Sequence, residues 1–226
     1  NSLGAFLILP IVLLVQALIN GWRSDRRNLL LGLVILHGLI LFLTFSRSTL
    51  LATLLAVAVL LVLRYRTFIK KHISRLGVAV AVGLVLLGGL VFVMRDVYII
   101  QNVVFHADES TVLEDPNELR VSLLQRSVDA IVDRPLGHGP GTAGLVSTRL
   151  PDGLLTENYY LQILYEVGVV GFAIFVALLY LLLSNLWRRR SHPMVVALLA
   201  SFAGLAFASL LFHTFANEAV AICWFL

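Results

Sequence analysis

Residues 159–187 read YYLQILYEVGVVGFAIFVALLYLLLSNLW, and this stretch decides the fold. Glu166 is its single charged residue. A helix of this length would extend about 43 Å at 1.5 Å per residue, which exceeds the roughly 30 Å thickness of the hydrocarbon core of a bilayer. The stretch therefore predicts a membrane-spanning helix that is tilted or that projects from the membrane.

The rest of the chain carries further apolar runs of similar character. The 226 residues are 59% hydrophobic and 13% charged, with a mean hydropathy of +0.94, which is too much apolar surface for one soluble core. In lipid, runs of this length satisfy their backbone as helices and not as short alternating strands. We predict an all-α, polytopic transmembrane helical bundle with about six spanning helices. The other five predicted spans are 3–20, 29–45, 49–63, 76–94 and 194–213.

The distribution of cations predicts the topology. Three loops, at 21–28, 64–75 and 188–193, are rich in arginine and lysine, and the positive-inside rule assigns them to the cytoplasm. The turn around Arg47 and the segment 95–158 then face outward, and that segment holds five arginines against ten acidic residues. The net charge of +4 therefore reflects membrane anchoring, and it does not indicate a nucleic-acid partner.

The predicted organisation has three parts. Residues 1–94 form four transmembrane helices with short loops, 95–158 form an extracytoplasmic loop, and 159–226 form two transmembrane helices and the start of a further one. The chain begins Asn-Ser and ends in an apolar segment, so we expect it to be part of a longer protein. Its lone cysteine, Cys223, cannot form an intrachain disulfide.

The outer loop contains one predicted helix, at about 117–134. Asn117 can cap its first turn, apolar residues recur at helical spacing, and Arg134-Pro135 end it. Three glycines and two prolines within 135–141 then predict a tight turn whose backbone N–H groups could bind an anion. A turn without a ligand is the alternative interpretation.

Arg47 is the most unusual charged residue outside the basic loops. It lies between two apolar runs, with Ser46 and Ser48 as its polar neighbours. A cation at the rim of a helical pair costs free energy unless it has water or an anionic partner, and the alternative is a side chain that reaches up to lipid phosphates. The acidic residues of the outer loop lack the spacing of a zinc or calcium site, so we predict no metal site.

Three motifs in this order resemble the O-antigen ligase and polymerase family. They are Thr44-Phe-Ser-Arg-Ser48, Arg120 followed by the 135–141 turn, and Glu157-Asn158-x9-Gly168-x-x-Gly171. The resemblance covers most of the chain and corresponds to the C-terminal half of such a protein. It implies a GT-C-like glycosyltransferase of the bacterial inner membrane with a periplasmic loop. The implied partners are an undecaprenyl-pyrophosphate-linked glycan donor, a glycan or lipid acceptor and membrane lipids, with no metal and no cofactor.

The resemblance also implies roles for three residues. Arg47 and Arg120 would bind the pyrophosphate, because guanidinium groups bind phosphate in a forked geometry and keep their charge. Glu157 stands where the ligases typically have a histidine, and it would accept the proton of the acceptor hydroxyl. The acid favours polymerisation of O-antigen or another surface polysaccharide over ligation to lipid A–core. A structural alternative for Glu157 is a cap on the following helix.

Further predicted substrate contacts lie around these three residues. They are Ser46, His138, Gly139, Gly141, Asn158, Tyr160 and His213. Tyr160 is expected at the membrane interface, where it anchors the helix or stacks on a sugar. Gly168 and Gly171, one turn apart, predict a close-packing face for a neighbouring helix that would fix the height of Glu157. Glu166 is expected to be a structural partner.

Two functions from other classes stay open on the sequence. A transporter of lipid-linked glycans would use the arginines to bind a travelling pyrophosphate and Glu157 to relay protons. A scaffold without enzymatic activity would use the arginines to bind lipid. An enzyme would lose product length when Glu157 becomes glutamine, whereas a scaffold would not, and a transporter would fail before the substrate reached the outer face.

Overall fold

The computed structural model describes residues 2–21, 24–66, 71, 116–144, 147, 153–156, 158–215 and 220–222. They form six helices, which are α1 Ser2–Ile19, α2 Ser24–Leu43, α3 Arg47–Arg64, α4 Pro116–Asp133, α5 Tyr159–Arg188 and α6 Pro193–Ala208. The predicted span 76–94 and the predicted base Glu157 lie outside the described residues. The side chain of Arg120 does so as well, although its backbone belongs to α4.

The prediction of an all-α membrane bundle is confirmed. Four helices are long and apolar enough to cross a membrane, and these are α1, α2 from Arg26 to Leu43, α3 and α5. The shorter α6 is equally apolar in character, with 16 residues. Among the described residues, the one β-type pairing is an isolated bridge between Ala143 and Leu154. The number of about six spans stays a prediction, because 76–94 is not among these residues.

The core of the bundle is the contact of α3 with α6, and it is built from small residues. A Cβ added to Gly204 of α6 would lie 2.6 Å from the carbonyl oxygen of Ala52 and 2.8 Å from the Cβ of Ala56. Both alanines are fully buried. Small side chains let helix backbones approach closely, which is how helices associate in lipid. The N-terminal half of α3 therefore packs against the C-terminal half of α6.

The helix α1 runs parallel to α3. At one end, a Cβ on Gly4 would lie 2.8 Å from the Cβ of Thr49. At the other end, the Arg64 guanidinium donates to Asn20 Oδ1 at 3.2 Å. The start of α3 therefore lies beside the start of α1, and the basic end of α3 lies beside the end of α1.

The long helix α5 is interrupted at Gly168, where φ is 70° and ψ is −178°. The sequence predicts a helix here that is tilted or projects from the membrane but does not predict the interruption, which divides α5 into a first segment, 159–167, and a second segment, 169–188. The second segment has 20 residues, so it extends about 30 Å and alone matches the hydrocarbon core. The first segment is free to support a site at the end of the bundle.

The predicted role of Gly168 and Gly171 as a packing face for another helix is wrong. A Cβ on Gly168 would lie 2.6 Å from the carbonyl oxygens of Pro135 and Leu136, which belong to the loop after α4. A Cβ on Gly171 would meet the side chain of Val167 in its own helix, at 2.6 Å. Gly168 therefore lets the loop after α4 pack directly against the backbone of α5. Glycine is needed here because φ is positive and a Cβ would collide with the loop.

Candidate functional site

The turn that carries Arg47 is tight and hydrogen-bonded. Phe45 adopts a left-handed backbone with φ of 51°, which is uncommon for a large side chain. Ser46 is buried at the N-cap position of α3, and its hydroxyl lies 3.2 Å from that of Ser48. Arg47 follows as the first residue of α3, with an exposed side chain. The turn therefore holds Arg47 at the rim of the bundle, as the motif predicts.

The glycine-rich turn after α4 binds to the interruption in α5. The N–H groups of His138 and Gly139 donate to the carbonyl oxygens of Tyr165 and Glu166, both at 2.9 Å. In return, the N–H of Val169 donates to the Pro135 carbonyl, also at 2.9 Å. Interrupting a helix leaves carbonyl and N–H groups that need partners, and this turn supplies them.

This pairing bears on the two interpretations of the turn. The sequence left open whether its backbone N–H groups bind an anion, and two of them, those of His138 and Gly139, are bonded to α5. Gly137, Gly139 and Gly141 all have positive φ, at 94°, 100° and 79°, so the chain follows a path that other residues adopt at a cost. Substrate contact by Gly139 or Gly141 stays a prediction, and the established role of the turn is to fasten α4 to α5.

The ring of His138 stacks on the ring of Tyr165. Their centroids are 3.9 Å apart and the planes differ by 1°. His138 is half-buried, and its Nδ1 lies 3.4 Å from the Tyr165 carbonyl. The stack adds a side-chain contact to the backbone hydrogen bonds between the turn and α5. His138 therefore has a structural role in the turn, and its contact with a phosphate stays a prediction.

Asn158 is the N-cap of α5. Its Oδ1 accepts hydrogen bonds from the N–H groups of Tyr160 at 2.9 Å and Leu161 at 3.2 Å. Asparagine is among the preferred N-cap residues, because its side chain satisfies N–H groups that the helix leaves open. The capping role considered for Glu157 thus belongs to Asn158. The residue type was the available signal, and our sequence reasoning overlooked it.

The two tyrosines after Asn158 attach α5 to the end of α6. The Tyr160 hydroxyl donates to the Ala206 carbonyl at 3.0 Å, and the Tyr159 N–H donates to the Ser209 carbonyl at 2.9 Å. The ring of Tyr159 lies 6.0 Å from that of Phe215. These contacts give both tyrosines an anchoring role. The half-buried His213 lies in the same segment after α6.

A cavity of about 80 Å³ lies where α4, the start of α5 and the segment after α6 meet. Its polar lining residues are Ser127, Thr156 and Asn158. The apolar ones are Leu123, Leu124, Leu161, Leu210 and Leu211. Thr156 is 1% exposed, and its hydroxyl has no hydrogen-bond partner among the residues that the structure describes. A buried hydroxyl without a partner costs free energy, so Thr156 is a polar group in the cavity wall that the described residues leave unsatisfied.

Two of the three predicted catalytic residues, Glu157 and Arg120, belong to chain segments that line the cavity. Glu157 lies outside the described residues, but both of its chain neighbours, Thr156 and Asn158, line the cavity. Arg120 precedes Ser127 on α4 by seven residues, which is close to two helical turns. The backbone of Arg120 therefore lies on the same face of α4 as Ser127, which lines the cavity. Arg47 belongs to a different wall of the bundle, on α3.

Metal binding finds no support in the described ranges. Within them, no group of three or more histidine, cysteine, aspartate or glutamate side chains is placed to hold a metal ion. The predicted independence from metal stays a prediction, since the acidic pairs of the outer loop at 108–109 and 114–115 fall in the part that is not described.

The helices and this cavity define a polytopic helical membrane protein with a mostly apolar cavity, lined by five leucines and three polar residues, where a loop helix meets the end of the bundle. Residues 31–176 match a family model described as O-antigen ligase. The match covers more than half of the chain, and the chain belongs to this family. Neither the curated proteins nor the solved structures gave a match.

Membership confirms the resemblance that the motifs carried. The matched range includes Arg47, Arg120 and Glu157. The family is one of bacterial membrane proteins with glycosyltransferase-like activity, in which a lipid-linked glycan and an acceptor are the partners. The type of transfer, the donor lipid and the roles of these three residues belong to the proposal below.

Proposed function

We propose that this chain is part of a glycosyltransferase of the bacterial inner membrane that uses an undecaprenyl-pyrophosphate-linked oligosaccharide as its donor. The reaction is polymerisation of O-antigen or of another surface polysaccharide. The observation that carries the proposal is the cavity. Both chain neighbours of Glu157 line it, and so does one face of α4, on which the backbone of Arg120 also lies. The proposal assigns both residues to one site.

In the proposed reaction, a hydroxyl of the acceptor attacks the anomeric carbon of the donor sugar. A new glycosidic bond forms while the bond between that carbon and the pyrophosphate oxygen breaks. The Glu157 carboxylate takes the hydroxyl proton, and the prenyl pyrophosphate leaves with the bonding electrons. Arg47 and Arg120 stabilise the charge on the leaving pyrophosphate, which is the role that a divalent cation would otherwise have.

The packing of α3 supports a part for Arg47 in the same site. Ala52 lies five residues after Arg47, and it contacts Gly204, which lies six residues before the cavity-lining Leu210. The N-terminal half of α3 is thus held against the half of α6 that leads to the cavity. An exposed arginine at this rim can approach a diphosphate that enters the cavity from the membrane surface.

The proposed orientation places this end of the bundle in the periplasm. The opposite end carries the exposed cations Arg64, Arg188, Arg189 and Arg190, and the positive-inside rule favours the cytoplasm for that end. Loop 95–158 and Arg47 then face outward, where a lipid-linked glycan is assembled into longer chains after export.

Ligation is the second candidate function. The description of the matched family model favours it, because it names the ligase. In a ligase the same donor would transfer its glycan to lipid A–core, and Glu157 would act on a hydroxyl of that acceptor. The acid at 157, where ligases typically have histidine, is the feature that favours polymerisation.

Substitutions in the full-length protein test the proposal. The protein is reconstituted in liposomes with an undecaprenyl-pyrophosphate-linked oligosaccharide, and the lipid-linked products are separated by length. Glu157→Gln should slow chain growth by about 10²–10⁴-fold, because it removes the base. Arg47→Ala and Arg120→Ala should also abolish the longer products.

Arg126→Ala is the matched control, since Arg126 is an exposed arginine of α4 that lies on a different face from the cavity. It should elongate chains at the rate of the wild type. Equal activity of Glu157→Gln and the wild type would overturn the assigned base. Transfer that appears only after lipid A–core is added would replace polymerisation by ligation.

A further inference from the structure

We infer that Glu166 is a positioning residue, which fixes the backbone on the N-terminal side of Glu157. This inference rests on the proposed function, because it assumes that Glu157 is the base. Glu166 lies nine residues after Glu157, a distance of about 13 Å along a helix, so it acts through the intervening structure and not on the reacting atoms.

Two side chains of α5, those of Glu166 and Gln162, bind the backbone of one loop residue, Ala143. Glu166 Oε1 accepts hydrogen bonds from the Ala143 N–H and from Gln162 Nε2, both at 3.3 Å. Gln162 Nε2 also donates to the Ala143 carbonyl, at 3.4 Å. Glu166 and Gln162 therefore satisfy both backbone groups of Ala143, as a neighbouring strand would. Ala143 is fully buried, so without them its polar groups would lose partners at a cost.

The loop around Ala143 is in turn bonded to Leu154, in the segment that precedes Glu157. The N–H of Gly144 donates to the Leu154 carbonyl at 3.0 Å, and the N–H of Leu154 donates to the Thr142 carbonyl at 3.1 Å. Ser147 Oγ adds a contact of 3.0 Å to the Leu154 carbonyl. Leu154 precedes Glu157 by three residues, so the loop segment that leads to the proposed base is tied to residues 142–144 and through Ala143 to Glu166.

A second anchor lies on the other side of Glu157. Asn158, directly after Glu157, caps α5. Both chain directions from Glu157 are thus attached to the first segment of α5, one by the cap and one by Glu166. Because a general base must lie within hydrogen-bond reach of its proton, a displacement of about 1 Å can cost up to about 10²-fold in rate.

Two variants separate the acceptor role of Glu166 from its charge. Glu166→Gln keeps an oxygen that can accept both hydrogen bonds, whereas Glu166→Ala removes it. In the liposome assay, Glu166→Ala should lower kcat by about 10–100-fold and leave the KM for the donor nearly unchanged, since the base is displaced and the donor site is not. Glu166→Gln should restore most of kcat. Ser184→Ala is the control on the same helix, because Ser184 bonds to Leu181 within its own turn.

A second measurement does not depend on activity. Hydrogen exchange followed by mass spectrometry should show faster exchange in peptides that contain Ala143 and Leu154 for Glu166→Ala, but not for Glu166→Gln or Ser184→Ala. Unchanged exchange in Glu166→Ala would overturn the inference, as would unchanged kcat. A Glu166→Gln variant as inactive as Glu157→Gln would overturn it too, because the carboxylate would then have a chemical role. If the wild type makes no product, the proposed function fails, and the exchange result still decides whether Glu166 holds the loop segments around Ala143 and Leu154.

Discussion

Gly137 and Gly168 meet backbone to backbone, and a Cβ on Gly137 would lie 2.6 Å from the nitrogen of Gly168. One glycine belongs to the turn after α4 and the other interrupts α5. Their contact joins the turn after the loop helix to α5.

Adding a methyl group at this joint of Gly137 with Gly168 should destabilise it. Gly168→Ala and Gly137→Ala each combine a positive φ with backbone atoms at 2.6 Å, so each should cost about 1–3 kcal/mol or more. Gly32→Ala is the control, because Gly32 is helical and a Cβ there would meet nothing within 4 Å in the part of the chain that the structure describes. Thermal unfolding of the full-length protein in detergent measures the difference. A midpoint for Gly168→Ala equal to that of Gly32→Ala would contradict the joint.

The contact of α3 with α6 should be intolerant of larger residues. Gly204→Val should lower stability by about 1–3 kcal/mol, because the added atoms would overlap with Ala52 and Ala56. Gly38→Val is the comparison, since no atom of the described residues lies within 4 Å of a Cβ at Gly38. Unfolding in denaturant gives both values. A larger loss for Gly38→Val would mean that α2, and not α3, carries the tight packing.

The cap of α5 should be replaceable by serine but not by alanine. Asn158→Ala removes the acceptor for the Tyr160 and Leu161 N–H groups, and it should cost about 1 kcal/mol. Asn158→Ser should retain most of the stability. The unfolding midpoints check the order of the three proteins. If Asn158 also contacts substrate, as predicted, Asn158→Ser will keep stability while losing activity.

Tyr160 allows its anchoring role to be separated from sugar stacking. Tyr160→Phe loses the hydrogen bond to Ala206 and should cost about 1 kcal/mol of stability, with the ring retained. Tyr160→Leu loses the ring as well. If Tyr160 is an anchor alone, both variants should elongate glycans at the rate of the wild type at a temperature where both are folded. A defect confined to Tyr160→Leu would instead indicate stacking on the sugar.

Much of the fold could be predicted because lipid leaves the chain few choices. Long apolar runs must satisfy their own backbone, so the helices α1, α2, α3 and α5 follow from composition. The loop helix also follows, since the predicted 117–134 differs from Pro116–Asp133 by one residue at each end. Arg134-Pro135 after its end act locally, and local signals can be read from sequence, whereas the predicted cap Asn117 lies inside the helix, which begins at Pro116.

The site was less predictable because its key contacts are distant in sequence. The interruption at Gly168 depends on a turn some thirty residues earlier, and a Gly-x-x-Gly pattern is equally typical of two packed helices. The bonds of Glu166 to Ala143 and the stack of His138 on Tyr165 have no local signature either. The roles of Arg47, Arg120 and Glu157 come from the family motifs, and substitution is what tests them.

The most direct test of the central proposal is the mass spectrum of products that the full-length protein forms from one defined lipid-linked oligosaccharide in liposomes containing EDTA. The expected products are a series of lipid-linked chains that differ by whole repeats, with one undecaprenyl pyrophosphate released per new linkage. An unchanged donor, or elongation that requires magnesium, would contradict the proposed metal-independent polymerase.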